Sequence, residues 1–84
     1  MASQIKRSAN SITANIAEAF GRSTSKDKNR FYTIAKGSTF ETQSHLLYGQ
    51  KINYFKENKV SDIFQLYNQL IFDLNKIIKS LSQS

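Results

Sequence analysis

The sequence contains no proline and only three glycines among its 84 residues, so little in it interrupts an α-helix. No segment alternates polar and apolar residues with the period of a β-strand, and no Asn-Gly or Asp-Gly hairpin turn occurs. Turns must therefore form at clusters of Ser, Asn and Lys. These features predict an all-α fold built from long helices.

The first predicted helix covers approximately residues 3–21. Its apolar residues recur at spacings of three and four, which places them on one stripe of a helix that turns by about 100° per residue. The end of this helix is predicted near Gly21. The stripe consists of Ile5, Ala9, Ile12, Ile16 and Phe20.

The second predicted helix covers approximately residues 25–55. The Ser23-Thr24-Ser25 hydroxyls before it are suited to capping its first amides, and Asp27 lies favourably in its first turn. One line of small and apolar residues along it predicts a packing face inside the chain. That line contains Phe31, Ile34, Ala35, Ser38, Thr42, Leu46, Gly49 and Ile52.

A second apolar line on the same helix consists of Phe40, Leu47 and Tyr54 at sevenfold spacing. It falls on the side opposite the packing face, where a monomer of three helices would present polar groups to water. Two interpretations remain open: tolerated surface apolar residues, or an interface for a missing helix or another subunit. The second interpretation predicts a homo-oligomer.

The third predicted helix covers approximately residues 61–82, with Ser61 as its cap. Its apolar residues form a nearly heptad stripe. A chain of this length has room for one small core, so residues 1–84 are predicted to form a single domain. The stripe consists of Ile63, Leu66, Leu70, Leu74, Ile77 and Leu81.

Composition argues against several classes of function. The absence of cysteine excludes disulfides and thiolate chemistry and favours the cytoplasm. The single His45 has only Glu41 as an evident acidic companion, and no paired Glu-x-x-His elements occur for a diiron site. We therefore predict no enzyme, no metal site and no cofactor. No signal peptide or membrane-spanning run is evident.

The net charge of +6 lies mainly in the first half of the chain and predicts attraction to RNA or DNA. A membrane surface is disfavoured because no helix combines a strongly apolar face with a lysine-rich one. The Ser23-Thr24-Ser25 turn is either an ordinary cap or a cap that also contacts phosphate. The candidate nucleic-acid-binding residues are Lys6, Arg7, Arg22, Lys26, Lys28, Arg30 and Lys36.

A run of motifs resembles the four-helix bundle family of 23S rRNA intervening-sequence proteins. The run from Ser11 to Arg22 reads SITANIAEAFGR, and it is followed by Arg30-Phe31 and then by Gly37-Ser38-Thr39-Phe40-Glu41. Thr13 and Ala19 stand where the family usually has proline and glycine. The residues that carry the family motif, and for which the resemblance implies a structural role, are Asn15, Glu18, Gly21, Arg22, Gly37, Ser38 and Glu41.

The resemblance implies an up-and-down helical bundle, in which these three helices correspond to the last three of four and the family's first helix is lacking. It also implies a homo-oligomer, often a pentamer, with a role near RNA. A related branch comprises accessory proteins of diversity-generating retroelements, which implies a reverse transcriptase as an alternative partner. The other alternative is a truncated family member that has lost its function.

Glu18 and Arg22 lie four residues apart on the polar side of the first helix. Two interpretations remain open for them. They form either an exposed ion pair or part of a buried polar network with Asn15, Ser38 and Glu41.

Overall fold

The computed structural model describes residues 2–83, which form three α-helices. The helices are α1 (Ala2–Gly21), α2 (Ser25–Lys51) and α3 (Glu57–Ser82). Short turns reverse the chain twice, so α1 and α3 run parallel to each other and antiparallel to α2. The all-α prediction is confirmed, and α1 starts one residue before its predicted position and ends at the predicted one.

The three helices occupy three corners of a square. Within residues 2–83, no Cα atom of α1 lies within 8 Å of one in α3, whereas both helices pack along α2. The molecule measures 45 Å along its longest axis and 21 × 13 Å across it. Axes about 10 Å apart and a Cα radius of about 2.3 Å would give about 19 × 12 Å for three corners of a square, but about 15 × 13 Å for a closed triangle. The corner between α1 and α3 is therefore open.

Small polar side chains join α1 to α2. The Thr42 hydroxyl lies 2.8 Å from the Ser8 hydroxyl, and the Ser11 and Ser38 hydroxyls lie 2.8 Å apart. Asn15 donates to both the carbonyl and the hydroxyl of Ser11, at 2.8 and 3.2 Å. Ser8, Ser38 and Thr42 are buried, so each hydroxyl needs these partners to offset its loss of water.

Polar pairs also align α3 with α2, in a fixed register. The Gln43 amide donates to Asn68 Oδ1 at 2.8 Å, and Lys36 Nζ donates to Asn75 Oδ1 at 3.0 Å. We call the hydrogen bonds between α1 and α2 the hydroxyl seam and those between α2 and α3 the amide seam. Between the two seams lies a small apolar cluster to which α1, α2 and α3 all contribute. Its buried members are Ala19, Tyr32, Ala35 and Leu74.

The second turn corrects two sequence predictions. α2 ends at Lys51 instead of near residue 55, because Asn53 adopts a left-handed conformation with φ 61°. The Asn53 amide donates to the Gln50 carbonyl at 3.0 Å, and the Tyr54 amide donates to the Gly49 carbonyl at 2.7 Å. This is a Schellman motif with asparagine at the left-handed position.

The early end of α2 also moves the start of α3. The third helix begins at Glu57, four residues before the predicted start, with Lys56 at the N-cap position and no side-chain hydrogen bond there. Ser61 was therefore wrongly predicted as the cap, since it lies inside the helix. Tyr54 lies in the turn, where its ring contacts Phe55 edge-on with centroids 4.9 Å apart. It is exposed, like Phe40 and Leu47, but it does not continue their line along α2.

The open corner is bounded by a concave face of apolar side chains from α1 and α3. The register of the polar pairs places Ile5 level with Leu66 and Ile16 level with Ile77. The most exposed members of this face are Phe20 and Leu66, at 74% and 70%. From α1 the concave face takes Ile5, Ala9, Ile16 and Phe20. From α3 it takes Ile63, Leu66, Leu70, Ile77 and Leu81.

A convex face covers the opposite side of α2, which points away from the open corner. Phe40 and Leu47 lie on it, each about half exposed at 53% and 51%. A missing helix in the open corner would therefore leave these two residues uncovered. At 100° per residue, the apolar residues and the glycine of the convex face are Ile34, Gly37, Phe40, Leu47, Tyr48 and Ile52. The same arc also carries the exposed polar residues Lys26, Arg30, Thr33, Glu41, Ser44 and Lys51.

Candidate nucleic-acid interface

The first turn joins α1 to α2 with hydrogen bonds from side chains. Thr24 is the N-cap of α2, and its hydroxyl accepts from the Asp27 amide at 3.1 Å. Lys28 Nζ donates to the carbonyls of Ala19 and Phe20, at 3.1 and 3.3 Å, and so caps the last turn of α1. The turn thus contains an N-cap, which both interpretations of Ser23-Thr24-Ser25 require.

Two arginines stack on one aromatic ring beside this turn. The guanidinium carbon of Arg22 lies 4.7 Å from the centroid of Phe31, and that of Arg30 lies 4.5 Å from it. Arg22 also bonds Glu18 at 3.0 Å, and Arg30 lies 3.8 Å from Asp27. The Phe31 ring and these carboxylates restrict both guanidinium groups, yet each arginine side chain keeps a substantial exposed fraction, 39% and 60%.

The structure divides the predicted basic residues into two groups. Arg22, Lys26, Lys28 and Arg30 surround the first turn, and Lys36 lies two to three helical turns into α2, hydrogen-bonded to α3. Lys6 and Arg7 lie near the other end of α1, about 22 Å away at a rise of 1.5 Å per residue. Within residues 2–83, Lys6, Arg7 and Lys26 make no hydrogen bond or ion pair.

Sequence reasoning missed two lysines that belong to the first group. Lys76 and Lys79 lie in the last turns of α3, which run level with the end of α1 because the chain reverses twice. Lys76 Nζ lies 4.8 Å from the centroid of Phe72. Only the order and length of the helices place these lysines beside the first turn, so charge counted along the sequence assigned them to a nearly neutral second half.

We call the half of the bundle that contains the first turn and the last turns of α3 the basic end. It contains seven of the twelve Lys and Arg residues and three of the six acidic residues, Glu18, Asp27 and Asp73, a net charge of +4. The positive end of the α2 dipole adds to that charge. The basic residues are Arg22, Lys26, Lys28, Arg30, Lys36, Lys76 and Lys79.

The motif residues separate into a buried seam and an exposed rim. Asn15 and Ser38 belong to the hydroxyl seam between α1 and α2. Glu18 and Arg22 form an exposed ion pair, and the Glu41 carboxylate lies 3.6 Å from Nε2 of His45. Glu18 and Arg22 therefore follow the first of the two interpretations, an exposed ion pair. The buried polar network between α1 and α2 contains neither of them nor Glu41, and runs through Asn15, serines and a threonine.

Gly21 and Gly37 have no evident structural requirement for glycine inside the chain. A Cβ atom at either position would meet nothing within 4 Å, and neither glycine has a positive φ. Gly37 lies in the middle of α2, where glycine costs about 1 kcal/mol relative to alanine. Gly37 thus lowers the stability of α2 without allowing any close contact inside the chain. This combination points to a close contact with another molecule.

No cluster of three or more His, Asp or Glu residues among residues 2–83 could hold a metal ion. Among those residues, no helix has the length and hydropathy needed to cross a bilayer.

Fold and charge together define a class, the small antiparallel helical bundles with one basic end. Within that class, a family model for the 23S rRNA-intervening sequence protein matches residues 1–76. The chain belongs to this family. Neither the curated proteins nor the solved structures gave a significant match.

Proposed function

We propose that this chain is a non-enzymatic assembly protein that binds the phosphate backbone of RNA through its basic end. The observation that supports this function is the gathering of charge from all three helices at one end of the bundle. Phosphate contacts supply most of the sequence-independent affinity of proteins for nucleic acids. Family membership is consistent with an RNA target, since the family is named for an intervening sequence of 23S rRNA.

The contacts at the basic end show which lysines and arginines are available to bind phosphate. Lys28 is committed to the carbonyls that end α1 and holds the two helices together. Lys26 and Lys79 are exposed and make no hydrogen bond or ion pair within residues 2–83. Arg22 and Arg30 lie on the Phe31 ring, so they lose less side-chain freedom when they meet phosphate. These four residues are the proposed phosphate ligands.

Recognition of shape and backbone is favoured over readout of bases. Two guanidinium groups already contact the Phe31 ring, so this ring is not free to stack on a base. The sequence has neither a ribonucleoprotein motif nor a KH-type glycine loop. We expect affinity to depend on RNA structure and on salt more than on sequence.

Assembly would strengthen an interaction of this kind. A single basic end offers only a few phosphate contacts, whereas several copies in one assembly act on the same RNA with a high effective concentration. The exposed apolar faces of the bundle are the surfaces through which copies of the chain would associate.

A fluorescence anisotropy titration with a labelled RNA hairpin, repeated at several salt concentrations, tests the proposal. Replacing Lys26 and Lys79 by glutamine removes two positive charges from the basic end. Each phosphate contact contributes about 0.9 to the slope of log K against log salt on a duplex, so we expect the slope to fall by about 1.8. The matched control is Lys56→Gln with Lys59→Gln, which removes two charges from the opposite end.

The control variant should keep the slope of the native chain. Equal loss in both variants would show that net charge alone drives binding, and would reject the basic end as the site. Absence of binding at about 50 mM salt, where non-specific affinities are still measurable, would reject RNA binding altogether.

A protein-interaction role is the second candidate function, and the exposed apolar area favours it. Phe20, Leu66 and Tyr48 are each more than half exposed, which is costly for a protein that works alone. In this case the chain would serve as an accessory subunit of a polymerase such as a reverse transcriptase. A gene neighbourhood with a reverse transcriptase and variable repeats would favour this role, and an rRNA intervening sequence would favour the first.

A further inference from the structure

The molecule exposes more surface than a closed bundle of its mass. Its accessible area is 5771 Å², whereas a compact folded chain of 9.6 kDa is expected to expose about 5,100 Å². The excess of about 700 Å² is close to the roughly 800 Å² that each partner buries in a stable protein interface. Most of the large apolar side chains that the molecule exposes lie on the concave and convex faces defined above.

The two faces have complementary shapes. The concave face is a trough between α1 and α3 that is wide enough for one further helix, and the convex face is the back of a single helix, α2. A helix placed in the trough completes an up-and-down bundle only if it runs antiparallel to α1 and α3. The α2 helix of a second copy has this direction when the two copies are related by rotation about an axis parallel to the helices.

We propose that the convex face of one copy docks into the concave face of the next, so that copies assemble head to tail and each α2 fills its neighbour's open corner. This interface deepens the assembly part of the proposed function and does not depend on RNA. Because the contact joins two different faces, repetition of the rotation closes a ring when the rotation angle divides a full turn.

Rotation about an axis parallel to the helices allows no shift along them, which fixes the register of the contact. At this register, Ile34 of the docked helix comes level with Ile16 of α1. Phe40 comes level with Leu70 of α3. Apolar side chains thus meet apolar side chains on both walls of the trough.

The same register brings opposite charges close together. Glu41 of the docked helix comes level with Ala9 and within one turn of Lys6, which is exposed and makes no hydrogen bond or ion pair within residues 2–83. On the other wall, Lys51 comes level with Val60 and within one turn of the exposed Asp62. Two ion pairs would therefore form without adjustment of the register.

Gly37 gains a role in this contact. It lies at the centre of the convex face, so the backbone of α2 can approach the floor of the trough closely where no side chain intervenes. This accounts for a mid-helix glycine that nothing inside the chain requires.

Disulfide trapping tests the interface, and the absence of native cysteine removes any background. Thr33 on the outer side of α2 is level with Ile77 of the trough in the proposed contact. We expect a Thr33→Cys chain and an Ile77→Cys chain to form a disulfide when mixed, while neither forms one with itself. Lys76→Cys is the matched control, because it lies one residue along α3 on the outer side.

Three outcomes would overturn the proposal. Ile77→Cys linking only to itself would show that concave faces pair with each other. Lys76→Cys linking as readily as Ile77→Cys would show random collision. A mass of 9.6 kDa by sedimentation at about 100 μM, well above the Kd expected of a specific interface, would assign the trough to a different polypeptide or to none.

Gly37→Gln supplies a second test that does not depend on oxidation. A Cβ atom at position 37 meets nothing within 4 Å, the position is exposed and glutamine is a better helix former than glycine, so the fold should be kept. We expect the assembled mass to fall toward that of one chain, with unchanged helical circular dichroism. Gly21→Gln, at the end of α1 and outside both faces, should assemble like the native chain. Equal assembly of Gly37→Gln and the native chain would also overturn the proposal.

Discussion

The first turn leads into α2 and the second turn leaves it, yet different kinds of hydrogen bond hold the two turns in place. In the first turn, side chains make the hydrogen bonds: the Thr24 hydroxyl caps α2 and the Lys28 ammonium caps α1. In the second turn, the backbone makes them: Asn53 is left-handed, and the Gly49 carbonyl accepts from Tyr54 and Phe55. Removing a hydroxyl or a charged group should therefore destabilise the first turn. The second turn should respond instead to an added Cβ atom or to a residue that disfavours the left-handed φ.

The largest effect is expected at Gly49, because the second turn folds the Phe55 ring onto it. A Cβ atom at this position would collide with that ring. We expect Gly49→Ala to lower the free energy of unfolding by about 1–3 kcal/mol, the usual range for overpacking, as measured by urea denaturation.

The control for Gly49 is Gly21→Ala at the first turn, where a Cβ atom meets nothing within 4 Å. Its effect should stay within about 0.5 kcal/mol. In a Phe55→Ala background, Gly49→Ala should lose its penalty, since the colliding ring is gone. A persistent penalty in that background would assign the effect to the backbone of α2 instead of to the ring.

The first turn should respond to removal of its hydroxyl. Thr24→Ala leaves the Asp27 amide without its partner, and we expect the free energy of unfolding to fall by about 1 kcal/mol. Thr24→Ser keeps the oxygen and should retain most of that stability. Thr13→Ala, at an exposed site with no hydrogen bond from its side chain in the described residues, should change little. If the alanine and serine variants at Thr24 were equally destabilised, the hydroxyl would not be the cap.

The same contrast explains which features the sequence revealed. The all-α class, the three helices and the first turn were predicted correctly, because stripes at helical spacing and a Ser-Thr-Ser cap are local signals. The end of α2 was placed near residue 55, because Asn53 was not weighed as a residue that can end a helix in the left-handed conformation, as asparagine does less often than glycine. The error in the start of α3 followed directly from that one residue.

The candidate site shows the same limit at longer range. The four basic residues around the first turn are close in sequence and were found together. Lys76 and Lys79 were missed, and Lys6 and Arg7 were grouped with residues about 22 Å away, because position along a helix follows from the bundle and not from the order of residues. The open corner could be expected from the resemblance, but the direction in which Phe40 and Leu47 point required the register of α2 against α3.

A smaller effect is expected at Asn53, where the second turn stores conformational strain. Glycine adopts a left-handed φ without the steric cost of a Cβ atom, so Asn53→Gly should raise the free energy of unfolding by about 0.5 kcal/mol. Asn53→Ala should lower it, because alanine tolerates this conformation less well than asparagine does. Both values come from thermal denaturation followed by circular dichroism. Destabilisation by glycine would show that the asparagine side chain, and not its φ, specifies the turn.

The smallest effect is expected for the ion pair of Glu18 and Arg22 beside the first turn. Their side chains are 56% and 39% exposed, so water screens the 3.0 Å contact and a double-mutant cycle should give a coupling of about 0.3–0.5 kcal/mol. Arg22 also contacts Phe31, and Arg22→Ala should therefore destabilise more than Glu18→Ala does. The cycle should be measured at low and at high protein concentration. Coupling that rises well above 1 kcal/mol only at high concentration would mean that assembly buries the pair, which would place the rim of α1 in an interface that the head-to-tail contact leaves exposed.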